Sequence, residues 1–82
     1  MDTNITIHIA DDHQILIDGI IAVLSTEKNL EVTGYSLNGL EVVDWFTKNH
    51  ADVLILDINM PELDGISVLK VLETKDQKPK II

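Results

Sequence analysis

Apolar positions along the chain follow two rhythms. Ile5, Ile7 and Ile9 alternate with Thr6, His8 and Ala10, the period of a strand that ends near Ala10. His8 reads as a packed or strand-edge histidine, because no second histidine lies at a ligand spacing. From Gln14 to Ser25 the rhythm changes: Leu16, Ile17, Ile20, Ile21, Val23 and Leu24 recur as they do on a helix. Asp12 is well placed as the N-cap of that helix. His13 falls in its first turn, where surface packing is the expected role, and Gly19 weakens the helix slightly. After the polar break of Thr26 to Asn29, Leu30, Val32 and Tyr35 mark a weaker second strand around Gly34. Ser36 to Gly39 reads as a turn, with Asn38 as a turn or cap residue. A second helix is predicted from Leu40 to Asn49, with Val42, Val43 and Phe46 on its apolar side, Trp45 partly buried and His50 near its end.

The third strand has a different character. Val53-Leu54-Ile55-Leu56 shows no alternation, which predicts a strand covered on both faces inside a parallel sheet. It ends at Asp57, and Pro61 stops any continuation of the ladder. Asp57 can be a plain strand-ending turn residue, or a carboxylate at the sheet edge where open α/β sheets bind ligands. Pro61-Glu62-Leu63-Asp64-Gly65 is turn chemistry. A third helix is predicted from Ile66 to Thr74, with Ile66, Leu69 and Leu72 on one face. Lys75 to Pro79 reads as a polar connector, and Lys80-Ile81-Ile82 begins a further apolar segment. The order β-α-β-α-β-α-(β) predicts one α/β domain over residues 1–82, a parallel sheet with helices on both faces.

Composition narrows the function. Of 82 residues 14 are acidic and 6 basic, a net charge of −8, which disfavours nucleic acid and anionic membrane surfaces as partners. The chain has no cysteine, which excludes a disulfide scaffold and a thiolate zinc site and fits a cytoplasmic protein. Met1-Asp2-Thr3-Asn4 is not the start of a signal peptide, and no apolar run approaches a membrane span.

Two strands end in carboxylates, the first in Asp11-Asp12 and the third in Asp57. Right-handed crossovers can place the third strand beside the first, with the second on the far side. The three acids then gather at one crevice, at a topological switch point. Carboxylates that close repel each other unless a cation sits among them, and oxygen ligands of this hardness suit Mg²⁺ or Mn²⁺. A carboxylate beside such an ion can attack phosphorus and form an aspartyl-phosphate. Against this stands the simpler role of Asp11-Asp12 as helix-capping acids.

Ile9-Ala10-Asp11-Asp12-His13, followed by Leu54-Ile55-Leu56-Asp57-Ile58-Asn59-Met60-Pro61-Glu62-Leu63-Asp64-Gly65, resembles the receiver domain of bacterial two-component response regulators. The resemblance covers almost the whole chain. It implies a flavodoxin-like, three-layer parallel sheet, and a module that accepts a phosphoryl group from a histidine kinase or phosphotransfer protein. By the same resemblance Asp57 is the phosphoacceptor. Asp11, Asp12 and Asp57 are the Mg²⁺ carboxylates, with Asp11 acting through water. Asn59 lends its backbone carbonyl to the ion, and Met60-Pro61 with Asp64-Gly65 shape the rim of the site. The Asp-Asp-His start is similar to receivers that precede a LuxR-type helix-turn-helix effector, so transcription regulation through such an effector is the implied output.

Members of that family continue through two more strands and helices, with a Ser or Thr ending strand four and a Lys ending strand five. This sequence stops at Ile82, where strand four would begin, and on that ground reads as the N-terminal part of a receiver. The outer edge of Val53 to Leu56 is then expected to lie open, and the chain to self-associate. Three other readings compete. A dehalogenase-type phosphotransferase needs a second acid two residues after the nucleophile, and position 59 is Asn. A pseudo-receiver, an interaction module that never takes phosphate, is opposed by the intact acid set but stays open because the family's Lys and hydroxyl are missing here. A flavodoxin-like nucleotide or flavin binder would carry a phosphate loop after the first strand, where this chain is acidic.

Overall fold

The computed structural model describes residues 4–60, 65–75 and 78–82. Along the chain run β1 (Ile5–Ala10), α1 (Gln14–Leu24), β2 (Leu30–Ser36), α2 (Gly39–Lys48), β3 (Val53–Leu56), α3 (Gly65–Leu72) and β4 (Lys80–Ile81). The strands pair in parallel in the order β2-β1-β3-β4, so the first strand lies at the centre with the second and third on either side. Successive side chains of a strand point to opposite faces, and helices pack on both faces here. Ala10 and Leu54 face a core shared with Val42 and Phe46 of α2 and Val68 and Leu72 of α3. Ile7 and Ile9 face the other way, against Ile17 of α1, with Val53 and Ile55 beside them. The result is the three-layer, flavodoxin-like arrangement that the resemblance implies.

Local chemistry sets the element ends. Asn38 caps α2: its side-chain oxygen accepts the Glu41 N–H at 2.9 Å, while Glu41 reaches back to the Leu37 N–H at 2.8 Å. This reciprocal pattern satisfies donors that the first helical turn leaves free. At the amino edge of the sheet, Asp52 accepts the Thr6 N–H at 2.9 Å and the Thr6 hydroxyl at 3.1 Å, tying β3 to β1. The Thr6 N–H holds the Asp52 carboxyl below its ordinary value.

Several expectations change in the folded chain. The face of α3 that is buried carries Gly65, Val68 and Leu72, whereas Ile66 is 57% exposed. Gly65 packs so closely on Ile58 that a Cβ there would lie 2.5 Å from the Ile58 Cα, and this contact fixes which side of the helix turns inward. On α1 only Ile17 is fully buried, Leu16 is half exposed, and Ile15 and Val23 lie on its outer side. Ser36, expected in a turn, is the last residue of β2. The outer edge of β3 is not open: Val53 and Leu54 pair with Lys80 and Ile81 of the same chain, and Ile82 exchanges hydrogen bonds with Leu54 and Leu56. The C-terminal residues thus occupy the edge in cis, where a neighbouring copy was expected. The turn expected at Pro61-Glu62-Leu63-Asp64 lies outside the described residues. Among those described, no helix is long and apolar enough to cross a membrane.

Candidate functional site

The carboxyl ends of β1 and β3 lie side by side, because Ala10 pairs with Leu56. The residues that follow are therefore neighbours across the ladder. The Asp57 N–H donates to the Ala10 carbonyl at 2.9 Å, and the Asp11 N–H donates to the Ser36 carbonyl at 3.0 Å. Both aspartates are anchored by backbone bonds that prolong the sheet by one step, and so their side chains leave the strands at defined positions. Asp11 is buried, Asp57 half-buried and Asp12 exposed.

One ligand atom from each of Asp11, Asp12, His13 and Asp57 falls within a 4.8 Å span. The three carboxylates predicted from sequence do converge. Asn59, the fourth predicted residue, sits two positions beyond Asp57 and donates its backbone N–H to an Asp57 carboxylate oxygen at 3.0 Å. This bond steadies one oxygen of Asp57.

His13 was expected to serve surface packing and instead belongs to the cluster. Its Nδ1 lies 2.8 Å from an Asp11 oxygen and 2.9 Å from an Asp12 oxygen. It also takes the N-cap position of α1 that was expected of Asp12, without a side-chain cap bond. The Asp11 carboxylate instead accepts the His13 backbone N–H at 2.9 Å. The hydrogen bond that the ring donates to Asp11, with the nearby charge of Asp12, raises the His13 imidazole above its ordinary value of 6.5. The sequence held a signal for this: a residue two positions after a carboxylate at a helix start can fold back on it, as Asx-type turns do.

Three carboxylates with one imidazole form a set of mostly hard oxygen donors. Such a set fits a divalent cation of the Mg²⁺ or Mn²⁺ kind, commonly held by one or two carboxylates and water. A crevice of about 410 Å³ opens beside the acids, floored by Ile9 and Ile55 and walled by Leu16 and Ile20 of α1.

The response regulator receiver domain model matches residues 7–82. A protein-glutamate methylesterase/protein-glutamine glutaminase of Methanosarcina mazei is 32% identical over 99% of this chain and 23% of its own length. The transcriptional regulatory protein DesR of Bacillus subtilis is 38% identical over 95% of this chain and 38% of its own length. The chain thus spans well under half of these curated relatives. The crystal structure of the response regulator domain of Thermotoga maritima CheB superimposes with a TM-score of 0.86 at 28% identity, covering 92% of this chain and 56% of that one.

Proposed function

This chain belongs to the response regulator receiver family, and from that membership we propose that Asp57 is its phosphoacceptor. The observation that carries the reading is the convergence of Asp11, Asp12 and Asp57 at the carboxyl ends of β1 and β3. Receiver domains of this family serve phosphorylation signalling. The donor in this reading is a phosphohistidine on a histidine kinase or phosphotransfer protein. An Asp57 oxygen attacks phosphorus, a P–O bond forms, the P–N bond to the donor imidazole breaks, and that imidazole leaves with the bonding pair and takes up a proton.

Each residue has a task in this scheme. The Asn59 N–H on one Asp57 oxygen keeps the carboxylate from rotating, which leaves the other oxygen as the nucleophile. Asp11, Asp12 and Asp57 would hold Mg²⁺ or Mn²⁺, with the Asn59 backbone carbonyl as a further ligand. The ion would neutralise the acids and the phosphoryl oxygens. A phosphoryl group brings a charge of about −1.5 to −2 into a pocket already rich in carboxylates. His13, paired with Asp11 and Asp12, offsets part of that charge from the protein side. The hydroxyl-bearing and lysine residues that the family resemblance implies beyond strand three find no counterpart at this cluster among the described residues.

In this reading the segment is a cytoplasmic switch and not an enzyme. Its output lies in an effector of the transcription-regulator kind, as the name of DesR suggests, although the Methanosarcina relative is named a methylesterase. Asp57 is tested with acetyl phosphate or phosphoramidate and Mg²⁺, read by intact mass. Uptake of one acid-labile phosphoryl group by the 82-residue chain should be slow at best without the family's lysine and hydroxyl, and Asp57→Asn should abolish it. Uptake by Asp57→Asn equal to that of the wild type would overturn the assignment.

A further inference from the structure

We infer that His8 is a positioning residue of the acid cluster: through Ser36 it fixes the carboxyl end of β2 against β1 and thereby holds Asp11 in place. The inference rests on the reading of Asp11 as a metal-binding carboxylate. His8 lies on the central strand and is 0% exposed. Its ring packs against Trp45 with centroids 4.2 Å apart and meets the edge of Phe46 at 5.5 Å. An aliphatic side chain would fill such a pocket without the cost of burying two ring nitrogens. What the imidazole adds is a bond: its Nε2 lies 2.7 Å from the Ser36 hydroxyl.

Among the described residues Nδ1 has no hydrogen-bond partner. A bare lone pair there costs less than an orphaned N–H, which assigns the proton to Nε2 and makes His8 the donor. Ser36 is itself buried, and it looks two ways. Its hydroxyl accepts from His8, and its carbonyl accepts the Asp11 N–H at 3.0 Å.

The β1–β2 ladder shows why this clamp matters. The register shifts between Ile7 and His8: Ile7 faces Val32, but His8 faces Gly34, so Thr33 is skipped. On the site side of that bulge only the pairs His8–Gly34, Ile9–Tyr35 and Ala10–Ser36 remain. A bulge loosens the local ladder and increases twist. The side chain of His8 bridges diagonally from its own pair to Ser36, two positions along, and spans those remaining pairs. Gly34 makes this possible. A Cβ there would lie 2.9 Å from Trp45 Nε1 and 3.1 Å from His8 Nδ1, so only glycine lets both rings lie over β2.

Three variants of the 82-residue chain test the inference: His8→Leu, which keeps apolar bulk, His8→Gln, whose amide can reach the Nε2 position, and Ser36→Ala. The readouts are Mn²⁺ affinity and amide hydrogen exchange at Asp11 relative to Leu54 in the core. His8→Leu and Ser36→Ala should each speed Asp11 exchange relative to Leu54 and weaken Mn²⁺ binding about fivefold, the change expected for one hydrogen bond. His8→Gln should restore both to within about twofold. A packing role alone would speed both amides together, leave Mn²⁺ affinity unchanged, and overturn the inference. If His8→Leu fails to fold, Ser36→Ala decides in the same way. If the wild type binds no Mn²⁺, the functional reading fails, and the exchange ratio still judges the clamp.

Discussion

Lowering the pH from 7 to 5 is expected to cost the fold about 2 kcal/mol at one side chain, His8. Burial pushes this imidazole down from 6.5 to about 4. The groups that touch it, Gly34, Ser36, Trp45 and Phe46, carry no charge that could compensate. At pH 5 the unfolded ring is protonated about thirtyfold over neutral, while the folded ring is protonated in about one molecule in ten. The sign follows: the unfolded state binds the extra proton, so stability is full above 6.5 and falls as the pH drops towards 4. At pH 4 and below, the loss approaches about 3 kcal/mol. That is a large share of the total for a domain of this size, about 4–12 kcal/mol. Urea unfolding at pH 7, 6 and 5 can be followed by the single tryptophan, Trp45, which stacks on the ring. Other titrating groups act alike in wild type and His8→Leu, so the difference between the two curves isolates His8. Parallel curves for the two proteins, or a His8 Cε1 proton that titrates near 6.5 by NMR, would refute the reasoning.

Gly65→Ala should destabilise by about 1–3 kcal/mol, the range for an overpacked site. The added methyl meets the Ile58 backbone at 2.5 Å, and urea melts together with a shifted Asn59 amide resonance would register it. His13 should titrate above 6.5 in the metal-free chain, and Asp11→Asn should bring it back down by NMR. Because its folded value is raised, His13 contributes stability below pH 6.5 that is lost as the pH rises through the raised value; an unshifted midpoint would dismiss the pairing. The chain should self-associate through the outer edge of β4 and the outer face of α1, where Ile15 is 87% and Val23 68% exposed. Light scattering that shows a monomer at every concentration would reject this.

The chain's own order determined its architecture and its acids. An apolar run without alternation, Val53 to Leu56, points to a strand with a core on each face, and β3 has one on each, with Leu54 fully buried and Val53, Ile55 and Leu56 partly so. Alternating strands and helices point to parallel crossovers, and the strand order that the family resemblance implied brings Asp11, Asp12 and Asp57 to one edge. Asn38 could be read as a cap because capping is local chemistry. Tertiary packing decided the rest. Whether Ile66 or Val68 turns inward depends on how near α3 lies to Ile58, a distance that no helical period encodes. His13 meets Asp11 and Asp12 through contacts local in sequence, and only the approach of β3 adds Asp57 to that group. Lys80 and Ile81 completed an edge that looked open, since a ladder partner is recognised only when its strand is in place. His8 was visible in sequence as a packed histidine. Its bond to Ser36 depends on a register shift of β2 and on a glycine that leaves room for two rings, features that arise only when the strands and α2 meet.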